Sequence, residues 1–199
     1  MKNYLYTIQF LQKFLLGISI LIMLILPLLI VFLPNGLSES ITFRLYDLSH
    51  LTIFLVMIIR PLADILTKTK LIRPLVILRK SVGVLSASVI ISFIFAKIII
   101  DPTNYFASFF TANYWSLNNY LILAHLADIS AILLLITSNN FSKRILGVWW
   151  KRIQKLSYLY FYASSFYVFY TLDNNIVLFS IIIVTVLTTI AYIINRKKY

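Results

Sequence analysis

Six long apolar segments, separated by short polar or basic stretches, constrain this chain more than any other feature of its sequence. A helix rises about 1.5 Å per residue, so about 20 residues cross a hydrocarbon core of about 30 Å. The segments predict transmembrane helices at about residues 14–33, 47–65, 81–100, 119–137, 153–172 and 176–194. Since backbone polar groups in lipid must be paired within the protein, we expect an all-α integral membrane protein.

The composition supports a membrane protein and excludes several kinds of site. The chain has 199 residues, of which 61% are hydrophobic and 12% are charged, and its mean hydropathy is +0.92. A soluble domain needs more polar surface than this. Because there is no cysteine, disulfides, thiolate zinc sites, iron–sulfur clusters and thiol catalysis are excluded.

Basic residues predict the orientation of the chain. All of the 18 lysines and arginines except Arg44 and Lys97 lie on one side of the predicted spans. Cytosolic loops are enriched in lysine and arginine, so both termini are predicted to be cytoplasmic, in the inner or plasma membrane. The net charge of +12 is then explained by loops beside an anionic bilayer. Nucleic-acid binding is not expected, because no soluble module is present to carry it.

A family resemblance is carried by the segment before the fifth span. Leu146-Gly147, Trp150, Lys151-Arg152 and Tyr158, with Thr137-Ser138 upstream, occur in the order seen in the ferric-reductase-like transmembrane domain. Leu-Ile-Arg at 71–73 and Arg-Lys at 79–80, followed by Gly83, resemble the family pattern before its third helix. The chain is most similar to the MsrQ-type branch, whose members are haem-carrying membrane subunits that pass electrons to a periplasmic methionine sulfoxide reductase.

This resemblance implies one domain over residues 1–199, with spans two to five as a central four-helix bundle and spans one and six peripheral. The family's haem-binding histidines are missing: their positions are occupied by Phe93 in the third span and by Gln154 and Tyr167 around the fifth. Tyrosine can ligate haem iron, but Tyr167 lies among many aromatic residues, which favours packing. The resemblance therefore predicts a haem-ligand-depleted binding or assembly subunit of a membrane redox system, with a membrane or periplasmic redox partner.

The two histidines leave an alternative open, in which the protein is a transmembrane electron-transfer haem protein. His50 is predicted in the first turn of span two and His125 in the second turn of span four. Spans two and four are diagonal in a four-helix bundle taken in order, which is where the two axial ligands of a haem would come from. Asp47 and Asp128 each lie one turn away and could hold the second ring nitrogen. The competing interpretation is a pair of His–Asp contacts without metal. His125 and Asp128 are also a candidate intramembrane polar site, since ionisable groups in spans usually face a bundle interior or a cavity.

Other chemistry is not indicated. The four glycines are scattered, so the chain has no flavin- or NAD-binding loop, and any reductant must come from a partner or a quinone. A small transporter is a third possibility, and only the pair of His125 and Asp128 favours it.

Overall fold

The computed structural model describes residues 2–33, 36–69, 71–116 and 120–196, and in these residues every regular element is helical. The helices are α1 (Lys2–Phe32), α2 (Glu39–Ile65), α3 (Ile72–Leu75), α4 (Leu78–Ile100), α5 (Pro102–Ser108), α6 (Leu121–Ile136), α7 (Asn140–Leu146), α8 (Val148–Ile153), α9 (Leu156–Leu172) and α10 (Asn175–Arg196), with a 3-10 turn at Ala112–Trp115.

Four of the described helices are long and apolar enough to cross a membrane: α1, α2, α4 together with the short α3, and α10. A fifth span results if α6 and α7 are taken as one broken segment, bent by 96°. The remaining apolar helix, α9, has 17 residues and is therefore about 26 Å long. The fold is thus that of an all-helical membrane protein.

A ring of four helices forms the centre of the bundle. In chain order, α2 packs on α4, α4 on α6, α6 on α9, and α9 closes the ring on α2. These helices overlap the predicted spans two to five. Outside the ring, α1 packs along α4, and α10 packs against α2 and α9.

Close packing around α4 is helped by the small residues that make up half of its buried positions. Ser81, Ser86, Ser88 and Ser92 are fully buried, and so are Ala87 and Ala96. Short side chains allow helix backbones to approach closely in membranes. The Ser92 hydroxyl donates to the Ile22 carbonyl of α1 as well as to its own helix at Ser88. The α1–α4 contact is therefore fixed by close packing and by an interhelical hydrogen bond.

The first helix begins and the last helix ends at the same end of the bundle. The Tyr4 hydroxyl donates to the Leu71 carbonyl at 2.9 Å, and the Asn195 amide donates to the Asp64 carboxylate at 3.3 Å. Asp64 and Leu71 flank the connection that follows α2. We call this end of the bundle the lower end. The upper end is the one at which α2, α6 and α10 begin and α4 and α9 end.

Some helices extend beyond the predicted spans. Helix α1 begins at Lys2, twelve residues before the predicted first span. The polar residues Glu39, Arg44 and Asp47 predict a short external loop before span two, but helix α2 begins at Glu39, where the Ser38 hydroxyl caps it by accepting from the Ile41 amide. As a result His50 lies about three turns inside α2, not in its first turn. The sequence also predicts that Asn118 or Asn119 caps span four, and both lie outside the described residues.

Candidate functional site

A cavity of about 960 Å³ opens in the upper half of the bundle. Its wall is formed mainly by α2, α6, α9 and α10, with Ile90 and Lys97 contributed by α4. Most of the wall is apolar, including Ile53, Phe54 and Ile183. A mostly apolar cavity with a few polar groups is the usual form of a site for a small organic molecule. We therefore take the upper cavity as the candidate functional site.

Four charged side chains line the upper cavity: Arg44 and Asp47 from α2, Lys97 from α4, and Asp128 from α6. None of the four forms an ion pair within 4 Å in the described part of the chain, where the Arg60–Asp64 pair at the lower end is found instead. The four charges sum to zero. Asp128 was singled out from the sequence as an intramembrane polar residue, and the structure places it in the cavity wall.

His50 of α2 lies in the cavity wall, where its ring contacts α9 and α10. Its Nε2 is 3.3 Å from the Ser180 hydroxyl, and its ring stacks on Phe161 at a centroid distance of 6.0 Å. Because the Ser180 hydroxyl donates its proton to the Val177 carbonyl at 2.6 Å, we assign His50 Nε2–H as the donor to Ser180. The expected hydrogen bond with Asp47 is not formed.

His125 lies against the loop between α5 and α6, and it does not line the cavity. Its ring stacks on Tyr114 with centroids 3.4 Å apart, and Trp115 meets it edge-on at 6.2 Å. Burial raises the pKa of Tyr114 to about 12, so the stacked phenol is neutral. His125 Nδ1 is buried and has no hydrogen-bond partner in the described residues. The expected His125–Asp128 contact is not formed, because the imidazole faces this loop while the carboxylate faces the cavity.

The residues do not fit a haem held by two imidazoles. Axial ligands must reach the two faces of one iron, but His50 faces Ser180 and Phe161, whereas His125 is covered by Tyr114. Among the described residues, no group of three His, Asp or Glu side chains could hold a metal ion. The structure therefore does not bring the two predicted ligands to one site.

The positions of the missing family histidines lie at two levels of the bundle, with Phe93 and Tyr167 towards the upper end and Gln154 at the lower end. The Phe93 ring stacks on Tyr46 at 4.8 Å, and Tyr167 lines the upper cavity. Gln154 lies at the lower end, where its amide donates to the Thr137 hydroxyl at 3.4 Å. The Trp150 indole donates to the Thr137 carbonyl at 2.9 Å. Two of the residues that carry the resemblance, Thr137 and Trp150, are thus in contact.

Three hydroxyl groups form a buried cluster that the sequence analysis missed. Tyr160 of α9 lies 2.9 Å from the Ser86 hydroxyl of α4 and 3.2 Å from the Ser49 hydroxyl of α2. The two serines lie 3.1 Å apart, and each also reaches the other's carbonyl. Tyr160 and Ser49 line the cavity, so the cluster joins three helices at its wall. Serine in an apolar span was the available signal, but it does not identify a partner.

The separate surroundings of His125 and Asp128 predict that substitutions of the two are independent. We expect the effects of His125→Ala and Asp128→Asn on the free energy of unfolding in mixed micelles to add within about 0.5 kcal/mol. The matched pair His125→Ala and Tyr114→Ala should show coupling above that value, because the rings are stacked. Coupling between His125 and Asp128 would contradict the geometry described here.

The hydroxyl cluster predicts a second effect on stability. Tyr160→Phe should lower the free energy of unfolding by about 1–2 kcal/mol, since two buried hydroxyls lose a partner. A cycle with Ser86→Ala should give coupling above about 0.5 kcal/mol in the same unfolding assay. Tyr162→Phe is the control, because that hydroxyl bonds Thr185 at an exposed position, and its loss should cost less. Equal decreases in the free energy of unfolding for Tyr160→Phe and Tyr162→Phe would show that the buried cluster stabilises the protein no more than an exposed hydroxyl pair does.

Comparison with known proteins identifies no relative from which a function could be transferred. No family model, curated protein or solved structure matches the chain. The function is therefore inferred from the geometry of the upper cavity and from the resemblance of individual residues.

Proposed function

We propose that this protein is a six-span membrane protein with cytoplasmic termini that binds an amphipathic organic molecule in the upper cavity. The resemblance of its lower-end residues to the ferric-reductase-like domain supports a role as a binding subunit beside a membrane or periplasmic redox partner. The observation that carries the proposal is the cavity itself, which combines an apolar wall with four charged side chains.

The six-span topology is supported by the direction of the helices. Added to the four long helices, α6 and α9 complete an alternating bundle with α1 beginning and α10 ending at the lower end. At 16 and 17 residues, α6 and α9 are about 24 and 26 Å long and are short spans. In the part of the chain that the structure describes, the lower end carries nearly all the lysines and arginines, which favours its placement in the cytosol.

The topology predicts that an alkaline phosphatase fused after Tyr199 is inactive, whereas a fluorescent protein fused there is bright. Alkaline phosphatase needs the periplasm for its disulfides, so the two reporters give opposite signals. A phosphatase fusion within residues 109–111, in the loop at the upper end, is the matched control and should be active. Phosphatase activity after Tyr199 would refute cytoplasmic termini.

A binding role follows from how the wall is built. Apolar side chains from α2, α6 and α10 remove the body of a ligand from water, while the charged and hydroxyl groups fix its orientation. His50 also lines this wall, and the hydrogen bond from its Nε2–H to the Ser180 hydroxyl fixes the orientation of its ring. An electron-carrying role through His50 and His125 is not favoured, because His125 lies outside the cavity.

The binding role predicts that a bulky side chain at Ala124 blocks the cavity. Ala124 lines it from α6, and Ala124→Trp should reduce labelling of cavity residues by a diazirine-bearing fatty acid at least tenfold in phosphatidylcholine nanodiscs. Site-resolved mass spectrometry measures the labelled positions. Leu133→Trp is the control on the same helix, because Leu133 is exposed and does not line the cavity.

If Ala124→Trp does not fold, Ala124→Leu provides a smaller obstruction with the same expected direction. Labelling confined to outward-facing residues such as Phe95, which is 43% exposed, would refute the binding role. Unchanged cavity labelling in a folded Ala124→Trp protein would refute it as well.

A further inference from the structure

We propose that the upper cavity binds the zwitterionic headgroup of a phospholipid that carries a primary amine, of the phosphatidylethanolamine class. In this arrangement Arg44 and Lys97 bind the phosphate, and Asp47 and Asp128 bind the ammonium group. The inference deepens the proposed function and rests on it, because it names the chemical class of the bound molecule.

The two cations at the upper end are the first observation. Among the described lysines and arginines, all but Arg44 and Lys97 lie towards the lower end, and these two line the cavity. Neither has a carboxylate partner within 4 Å in the described residues. Arginine and lysine are the usual protein ligands of phosphate groups. Their joint position therefore favours an anionic phosphate group in the cavity.

The two carboxylates are the second observation. Asp128 lies seven residues after the start of α6 at Leu121, which is about 10 Å along the helix axis. A carboxylate within a span normally faces a partner or a water-filled cavity. Asp128 accepts no hydrogen bond from another described residue, and Asp47 in the same wall is equally free of ion pairs. A primary ammonium brings three N–H donors and a positive charge to these acceptors.

The shape of the cavity supports a lipid over a compact solute. Leu51 of α2 and Phe179 and Ile183 of α10 line the cavity, yet they are 55%, 66% and 43% exposed. These side chains therefore form an apolar rim between α2 and α10, facing the region that lipid occupies. Acyl chains attached to a headgroup in the cavity can leave along this rim without crossing a polar surface.

Charge and hydrogen-bonding capacity together select the headgroup. The four charges of the wall sum to zero, and so do the single negative charge of a phosphodiester and the single positive charge of an ammonium group. Phosphatidylglycerol would satisfy the cations but leave both carboxylates unpaired. Phosphatidylcholine matches the charges, but its quaternary nitrogen has no N–H to donate. Phosphatidylethanolamine satisfies all four side chains, so the wall should discriminate against the other two lipids.

Native mass spectrometry of the purified full-length protein tests the inference. The protein is delipidated and offered equimolar phosphatidylethanolamine, phosphatidylcholine and phosphatidylglycerol of identical chains. We expect phosphatidylethanolamine to be retained at least tenfold over either competitor. Asp128→Asn should reduce its retention to the level of phosphatidylcholine, whereas Lys97→Gln should reduce the retention of both lipids because they share the phosphate.

Controls come from matched residues at the lower end. Asp64→Asn and Arg73→Gln change the same kinds of charge outside the cavity and should leave the preference unchanged. Should Asp128→Asn fail to fold, Asp47→Asn carries the same expectation. Soluble phosphoethanolamine lacks acyl chains and should not displace the lipid; displacement would mean that the headgroup alone is recognised and would refute a lipid ligand.

Equal retention of the three lipids would overturn the inference, and so would a preference that survives both aspartate substitutions. The proposed binding role is refuted by a different result, which is the absence of fatty-acid labelling in the cavity of the unsubstituted protein. Cavity labelling without a headgroup preference would support the binding role and refute the phosphatidylethanolamine assignment. Absence of cavity labelling together with absence of a headgroup preference would refute both proposals.

Discussion

Close packing against α4 is the constraint on which the rest of the bundle depends. This helix contacts α1, α2 and α6, and the serines and alanines that make up half of its buried residues let these helices approach it closely. In lipid, apolar side chains gain little by moving from hydrocarbon to protein, so close contact and hydrogen bonds must hold helices together. Larger residues at Ser88 or Ala96 would separate α1 from α4.

The same scarcity of water explains how the buried hydroxyls are used. A hydroxyl in an apolar core must find a protein acceptor, and most serines of α4 donate to their own helix, as Ser81 does to Leu78 and Ser88 to Leu85. Ser86 differs, because it bonds Ser49 and Tyr160 on two other helices. This cluster ties α2, α4 and α9 together at the cavity wall, so the site and the bundle share one set of contacts.

The upper cavity also resolves an apparent conflict in the charges. Arg44, Lys97, Asp47 and Asp128 are out of place in an apolar bundle if each is considered alone. Together they line one cavity and sum to zero. A single zwitterionic ligand gives all four a partner, which a haem held by histidines would not do.

The sequence alone determined that this is an all-helical membrane protein, because the length and hydropathy of the apolar segments are local properties. It also identified His50, His125 and Asp128, since polar residues in apolar spans are conspicuous. Tertiary structure decided where those side chains face: the loop carrying Tyr114 covers His125, while Asp128, three residues later, faces the cavity. Likewise, the hydroxyl cluster joins residues 37, 74 and 111 positions apart, and no local pattern encodes a contact at that separation. Helix directions and packing distances set these contacts, and they exist only after the chain has folded.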